Sequence, residues 1–322
     1  MSVVLLLAIA FSIMATRKQK NDKSDLDSSN EGLSSSTKNN NHSILVGDFY
    51  DRHNDAFLKI YGDTIQAFRT VDVTKLLQYQ GMAMALKEGM RILDAGCGIC
   101  GPAIYFAKHF GVTVDAVTIS ANQVSIAQDK INESGLSGMI TVSHGNYHEL
   151  PSLFNHASYD VVYFLESFGH SNDKQKAINA SWEILKPGGM LYIKDLFAKE
   201  SIVPGQRKTI EQNIQRINEA YHYQVSDLSE VLSILRQKGF ILSALKTIDI
   251  PLEEFENLTI SNEFQTLTGI NRIDDLQSYV FPVDFFELVC IKPWYDPSKG
   301  SSRYFLQNLY YLQVLTLPEN EL

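Results

Sequence analysis

One short segment constrains the fold of this chain of 322 residues more than any other. Residues 91–95, Arg-Ile-Leu-Asp-Ala, form a mostly apolar run, and a glycine-rich turn and Pro102 follow it. A short apolar run that ends in such a turn predicts a buried β-strand, and proline is favoured in the first turn of a helix. The segment therefore predicts a strand, a tight turn and a helix, which together open a doubly wound α/β domain.

The turn also predicts a cofactor site. Gly96, Gly98 and Gly101 match the pattern G-x-G-x-x-G, in which the missing side chains let the backbone approach a ligand. Asp94 separates the candidate ligands, because its carboxylate is expected at the carboxyl end of the strand. There it would repel a pyrophosphate and attract the ammonium and sulfonium groups of S-adenosylmethionine.

The end of the second predicted strand supports the same distinction. Enzymes that bind a dinucleotide need an acidic residue about 20 positions after the glycines to hold a ribose hydroxyl. The β-branched run at 112–120 predicts that strand, and Thr118 stands at its end instead of an acid. A nicotinamide-dependent oxidoreductase is therefore the weaker alternative, although this position alone does not exclude it.

Strands and helices are predicted to alternate along the chain. The predicted strands are 91–95, 113–119, 140–144, 161–165, 190–195, 240–249 and 286–292, and the predicted helices begin at Pro102 and Ala121 or cover 174–185 and 228–238. This alternation predicts a mostly parallel, doubly wound sheet in one catalytic domain, residues 44–292. Segments near 202–223 and 252–284 interrupt the pattern and are predicted to form a lid, and residues 293–322 form a C-terminal extension.

The amino-terminal region differs in composition from the rest. Residues 3–15 are almost wholly apolar, and basic residues follow at Arg17 and Lys18. The run is shorter than the roughly 20 residues of a standard membrane-spanning helix, so a membrane anchor, a cleaved signal and neither remain open. If it is an anchor, the basic residues after it predict a cytoplasmic catalytic domain. Residues 18–43 are rich in serine, asparagine and lysine and predict a disordered linker.

Charge and cysteine content narrow the class of function. The net charge of −9 argues against nucleic acid as a partner, because phosphate contacts need clustered lysine and arginine. Three cysteines do not form a disulfide framework, which favours a reducing compartment. Cys97 and Cys100 have metal-ligand spacing, but no second pair follows them, so no metal is predicted. The oligomeric state is not indicated.

Four blocks in the same order resemble the class I S-adenosylmethionine-dependent methyltransferases. They are Leu93-Asp-Ala-Gly-Cys-Gly98, Gly145-Asn-Tyr147, Tyr159-Asp-Val-Val-Tyr163 and Leu185-Lys-Pro-Gly-Gly189. Two further segments, Val117-Thr-Ile-Ser-Ala-Asn-Gln123 and Glu166-Ser-Phe-Gly-His170, resemble the branch with cyclopropane-fatty-acid synthase and the tocopherol, sterol and geranyl-diphosphate C-methyltransferases. The resemblance implies a Rossmann-like fold of seven strands with the last strand antiparallel.

The resemblance also implies roles for individual residues in binding S-adenosylmethionine. Tyr50 belongs to an amino-terminal segment that covers the cofactor. The expected contacts are Asp94, Gly96, Cys97 and Gly98 with the methionyl part, Thr118 and Gln123 with the ribose, and Asn146 and Tyr147 with the adenine. For Thr118 and Asn146 the alternative is a hydrogen bond at a strand end or turn. Cys100 stands where these families usually carry glycine, so the turn has to form without the freedom that glycine gives to positive φ.

Glu166 and His170 are the candidate catalytic residues. The Glu166 carboxylate would orient the acceptor or, with aromatic faces such as Phe168, Tyr221 and Tyr223, stabilise a carbocation; its alternative is a salt bridge to the lid. His170 would act as a base, or it is structural. The resemblance predicts methyl transfer to a small apolar or isoprenoid-like acceptor, with C-methylation favoured over N- or O-methylation. A catalytically silent, methyltransferase-like binding module is a further alternative.

Overall fold

The computed structural model describes residues 31–201, 203–246, 280 and 282–294, with side chains from residue 41 onward. In this part of the chain seven strands form one sheet in the order β3-β2-β1-β4-β5-β7-β6. The strands are β1 Arg91–Ala95, β2 Thr113–Thr118, β3 Ile140–His144, β4 Tyr159–Leu165, β5 Leu185–Ala198, β6 Ile241–Lys246 and β7 Val283–Ile291. Strands β1 to β5 are parallel, and β7 runs antiparallel to β5 and β6. The predicted fold is confirmed.

Helices cover the sheet between the strands. They are α1 Glu31–Tyr61, α2 Val73–Ala83, α3 Gly101–Phe110, α4 Ala121–Glu133, α5 Leu150–Leu153, α6 Lys174–Ile184, α7 Gln206–Tyr221 and α8 Leu228–Lys238, with short 3-10 turns at Tyr147–Glu149 and Phe168–His170. Four of the helices begin where the sequence supplies an oxygen for the first backbone amides: the side chains of Asp72, Ser120, Asp173 and Asp227 accept these bonds at α2, α4, α6 and α8.

The sheet buries both of its faces. Consecutive side chains point to opposite faces of a strand, so Ile92 and Val161 pack in one hydrophobic cluster and Leu93 and Val162 in another. Burying one such aliphatic side chain contributes about 1.5–3 kcal/mol. Helices on both faces are therefore needed to cover the continuous apolar runs from which the sequence predicted these strands.

Helix α1 differs from the prediction at the amino terminus. It begins at Glu31, so a helix replaces the linker expected for residues 31–43. Adding residues to an existing helix needs no new nucleation, and the apolar residues after position 43 provide a packed segment from which the helix extends. Residues 42–322 form one compact unit and residues 1–41 another.

Several predicted segments lie outside the described residues. They are the apolar run 3–15, the linker up to residue 30, most of the predicted lid at 252–284 and most of the extension at 293–322. Among the helices that the structure describes, none is both long enough and apolar enough to cross a membrane.

The strand order places a crevice at one end of the sheet. The order reverses between β1 and β4, and in open α/β sheets ligands bind beyond the carboxyl ends of the strands at this point. The glycine turn after β1 and Glu166 after β4 both stand there.

Candidate active site

A cavity of about 910 Å³, including its open mouth, occupies this crevice. Every predicted cofactor-binding and catalytic residue lines it: Tyr50, Asp94, Gly96, Cys97, Gly98, Thr118, Gln123, Asn146, Tyr147, Glu166 and His170. The structure therefore brings the predicted residues together, and their individual roles stay predictions.

The glycine turn is shaped by close backbone contacts. The Gly96 and Cys97 amides donate hydrogen bonds to the Val117 carbonyl over 2.9 and 3.0 Å, which ties the turn to β2. Gly96 has φ of 90°, and a Cβ there would lie 2.5 Å from the Ser167 Cβ. Cys100 also adopts a left-handed φ, 65°, although it is not glycine. The turn therefore forms with the positive φ that a glycine would have supplied at this position.

Asp94 has a buried carboxylate oxygen that is available to a ligand. The residue is 2% exposed, and among the described residues its Oδ2 has no partner in hydrogen-bonding geometry. Burial raises the pKa of its carboxyl to about 7, although the buried Tyr163 hydroxyl of β4 lies close enough to lower that pKa in part. A buried polar atom without a partner is costly, and a bound ammonium group would remove that cost. Asp94 therefore fits the cation of S-adenosylmethionine.

Thr118 and Gln123 act as a pair. The Thr118 hydroxyl donates to Gln123 Oε1 over 2.7 Å, which fixes the orientation of the amide. Gln123 Nε2 lies 4.0 Å from the position that a Cβ would take at Gly98. The amide nitrogen is thus available as a donor beside the glycine turn, with Thr118 behind it.

Asn146 makes the turn contact that was its alternative to cofactor binding, as Thr118 does at the end of β2 by accepting from the Ser120 amide, and Tyr147 follows Asn146 in the same turn. Asn146 Oδ1 accepts from the His148 amide over 2.9 Å, and its Nδ2 donates to the Ser43 hydroxyl over 2.9 Å. The Tyr147 hydroxyl donates to the Ser167 carbonyl over 3.2 Å. These bonds hold the two side chains in the cavity wall. A second lone pair of the Asn146 oxygen stays available to a ligand.

Glu166 is already engaged with the protein. It adopts a left-handed φ of 56°, and its carboxylate accepts from the amides of Ala67 over 2.6 Å and Phe68 over 3.1 Å. It also forms an ion pair with Lys194, whose side chain is fully buried. A salt bridge was the alternative role for this residue, and its partner lies on β5 rather than on the lid.

Tyr50 and His170 form a hydrogen-bonded pair. The Tyr50 hydroxyl lies 2.8 Å from His170 Nε2, and His170 Nδ1 lies 3.4 Å from the His222 carbonyl. Because a carbonyl only accepts, Nδ1 carries the proton and Nε2 accepts from Tyr50. Burial, together with the nearby Lys174, lowers the pKa of His170 to about 3, and burial raises the pKa of Tyr50. The Tyr50 hydroxyl is therefore protonated, and the His170 imidazole is neutral.

A second cavity, of about 430 Å³, adjoins the first. The two share Tyr50, Ile65 and Glu166. The rest of its lining is apolar or aromatic: Phe57, Tyr61, Ala67, Leu196, Ile217, Tyr221 and Tyr223. Ile217 and Tyr221 come from α7, within the segment predicted as part of the lid. The chain thus surrounds an apolar pocket next to the first cavity.

Two buried charged residues beside the site were not predicted from the sequence. Lys194 and Asp195 follow an apolar run in β5, and both are fully buried. Asp195 accepts from the Gly169 amide over 2.9 Å and from the Leu196 amide over 2.8 Å, so it holds the turn that carries His170. The available signal was a pair of opposite charges at the carboxyl end of an apolar strand, beside the site.

Comparison with known proteins identifies the family. The model of a methyltransferase domain matches residues 93–193. The O-methyltransferase rstn1 of Aspergillus nomiae is 30% identical over 162 residues, which cover 47% of this chain and 71% of that protein. The chain belongs to the S-adenosylmethionine-dependent methyltransferases.

Other relatives agree with this assignment. The methyltransferase GfsG of Streptomyces halstedii is 27% identical over 49% of this methyltransferase, and the match spans 59% of GfsG. The fold is similar to that of geranyl diphosphate C-methyltransferase from Streptomyces coelicolor A3(2), with a TM-score of 0.61 and 14% identity, covering 78% of this chain and 98% of that one. The assignment confirms S-adenosylmethionine as the cofactor and favours it over a nicotinamide.

Proposed function

We propose that this methyltransferase transfers a methyl group to a hydroxyl oxygen of a small, uncharged, largely apolar acceptor. The observation that supports this most is the Tyr50–His170 pair, in which a neutral imidazole accepts a hydrogen bond from the tyrosine. Tyr50 lines both cavities. An acceptor in the second cavity would therefore meet a proton relay on the side that faces the cofactor.

In this proposal the first cavity holds the cofactor. Asp94 would accept the ammonium group, Gln123 would donate to the ribose, and the glycine turn would lie along the methionyl part. When bound, S-adenosylmethionine supplies an electrophilic methyl group. The protein then has to align the acceptor and exclude water, which accounts for a large part of the rate in such reactions.

The proton of the acceptor would leave through Tyr50. The tyrosine oxygen accepts the hydroxyl proton of the acceptor while its own proton passes to His170 Nε2. A hydroxyl whose oxygen gains a methyl group becomes a far stronger acid than an imidazolium, so even a buried, weakly basic histidine takes the proton. The raised pKa of Tyr50 keeps it protonated until that moment.

The lining of the cavities supports an uncharged acceptor. In the part of the chain that the structure describes, neither cavity is lined by a lysine or an arginine. Lys194 is paired with Glu166, and the Lys174 ammonium near His170 donates to the carbonyls of Phe168, Gly169 and Ser171. A phosphate or diphosphate on the acceptor would therefore lack the cationic partners that recognise it. The aromatic lining instead fits a hydrocarbon body.

C-methylation of an isoprenoid-like alkene is the second candidate. The faces of Tyr221 and Tyr223 beside Glu166 could stabilise a carbocation, and the fold is similar to that of geranyl diphosphate C-methyltransferase. We place this candidate second because the Glu166 charge is offset by Lys194. The relative rstn1, by its name an O-methyltransferase, also favours the first candidate.

The product distinguishes the two candidates. The protein is incubated with methyl-labelled S-adenosylmethionine and a small-molecule extract of its source, and the labelled product is identified by mass spectrometry and NMR. We expect a methyl ether. A label on carbon would overturn the first candidate in favour of the second.

Tyr50→Phe tests the proton relay with the acceptor identified in that experiment. Removing the hydroxyl is expected to lower kcat roughly 100-fold, the range for loss of acid–base catalysis, with cofactor affinity within a few-fold of wild type. Tyr105→Phe is the matched control, because the Tyr105 hydroxyl bonds Gln78 at the surface. Equal kcat values for the two variants would contradict the role of Tyr50.

A further inference from the structure

The ion pair of Lys194 and Glu166 contacts one short stretch of chain from two sides. We define the covering segment as residues 63–70, which connect α1 and α2. Lys194 Nζ donates to Gln66 Oε1 over 3.0 Å, to the Phe68 carbonyl over 2.6 Å and to the Glu166 carboxylate. An ammonium has three N–H donors, so each of them has a partner.

Glu166 holds the same stretch through its backbone. Both carboxylate oxygens accept amide hydrogens from the covering segment, one from Ala67 and one from Phe68. A carboxylate that accepts two amides and an ammonium has few lone pairs left for an acceptor. The left-handed φ of Glu166, an uncommon conformation for a residue with a side chain, directs these contacts.

The covering segment forms part of both cavities. Asp63, Ile65 and Gln66 line the cofactor cavity, and Ile65 and Ala67 line the second cavity. Buried ion pairs contribute little to stability compared with apolar residues of the same volume, and a role in fixing one geometry has to be shown for each protein. In this protein the ion pair would fix the position of the covering segment, which forms part of the wall of both cavities.

We propose that Lys194 is a positioning residue which, through Glu166, holds the covering segment in place and so shapes both cavities. Glu166 is then the anchor of that segment. The effect on the second cavity rests on the proposed function, in which that cavity holds the acceptor. The effect on cofactor binding does not depend on which acceptor is methylated.

Hydrogen exchange and cofactor binding test the proposal without any acceptor. In Lys194→Met, amide exchange in peptides covering residues 63–70 is expected to accelerate at least about ten-fold, because hydrogen bonds to a charged group are lost. The affinity for S-adenosylmethionine, measured by calorimetry, is expected to fall about ten-fold. Exchange in peptides covering residues 113–118 of β2 is expected to stay unchanged.

A double variant separates local order from overall stability. Lys194→Met leaves an unpaired carboxylate buried, and adding Glu166→Gln removes that charge. The double variant is expected to regain thermal stability while exchange in residues 63–70 stays fast and cofactor affinity stays low. If Lys194→Met does not fold, Glu166→Gln and the double variant provide the same comparison with wild type.

Lys292→Met is the matched control. The Lys292 ammonium is partly buried and donates to the carbonyls of Trp182 and Leu185, both over 2.7 Å, and none of these residues lines either cavity. Its loss is expected to lower stability without changing exchange in residues 63–70 or cofactor affinity. Unchanged exchange in Lys194→Met would overturn the proposal. So would full recovery of cofactor affinity in the double variant, since stability alone would then explain the loss.

Discussion

The two halves of the site use buried carboxyl groups in opposite ways. Beside β1, Asp94 is buried with one oxygen that has no partner among the described residues. Beside β4 and β5, Glu166 and Asp195 are equally deep, and each accepts two backbone amides. Burial raises the pKa of Asp94 to about 7 and that of Asp195 to about 6, so depth alone does not distinguish them. The carboxyl groups differ instead in their hydrogen bonds: Glu166 and Asp195 each accept two backbone amides, whereas Asp94 Oδ2 accepts none.

This difference separates the residues that await a ligand from those that build the wall. Leaving a carboxylate unsatisfied costs free energy in the empty protein, and that cost is recovered when a cation binds. Beside the second cavity, the Glu166 carboxylate is paired with Lys194 of the protein itself, and the rest of the lining is apolar or aromatic. In the proposed function, the polar cofactor and the apolar acceptor would therefore meet surfaces of matching chemistry.

Asp94→Asn is expected to have the largest effect. It removes the negative charge that is proposed to face the cofactor cation, and breaking a buried charge pair costs about 2–5 kcal/mol, so the affinity for S-adenosylmethionine should fall roughly 30-fold or more. The empty protein should be at least as stable as wild type, because the costly carboxylate is gone. Calorimetric titration and thermal unfolding measure the two quantities.

Asp195→Asn is expected to lower stability more than cofactor affinity, which is the reverse of the result expected for Asp94→Asn. The amide keeps one acceptor oxygen, and one of the two backbone donors, Gly169 or Leu196, is left without its partner. The free energy of unfolding should fall by about 1–3 kcal/mol, with cofactor affinity changed much less than in Asp94→Asn. The contrast between the two halves fails if both variants lose stability and affinity together.

Cofactor affinity should depend on pH through the same carboxyl group. Its pKa is about 7 in the empty site, and a bound cation favours the charged form and lowers that pKa. Affinity is therefore full above pH 7 and should fall by up to ten-fold per pH unit below it, as a proton competes with the cofactor. His170, with a pKa of about 3, does not titrate in this range.

Calorimetry between pH 5.5 and 8.5, in buffers with different ionisation enthalpies, measures both the slope and the proton released on binding. Asp94→Asn is the control and should lose the part of the slope that Asp94 supplies, so that only the contributions of other groups, such as Asp195 with its pKa of about 6, remain. A flat profile in wild type would mean that Asp94 stays charged in the empty site, contrary to the effect of its burial.

The sequence predicted the sheet and the cofactor side better than the acceptor side. The strand at 91–95 and the turn after it depend on local pattern, and these positions match the structure residue for residue at β1. The pairing of Glu166 with Lys194, 28 positions apart, depends on two neighbouring strands meeting and has no local signal. The Tyr50–His170 contact, 120 positions apart, likewise depends on how α1 packs over the sheet.

Cys100 should give the smallest effect and tests the turn on the cofactor side. It is fully buried with φ of 65°, a conformation that costs a residue with a Cβ about 1–2 kcal/mol. At an ordinary position glycine is less stable than alanine by about 0.5–1 kcal/mol. Here Cys100→Gly is expected to be at least as stable as Cys100→Ala, since glycine relieves the strain and alanine keeps it. Chemical denaturation of both variants measures the difference, and an alanine variant that is clearly the more stable would show that the turn relaxes out of the left-handed conformation.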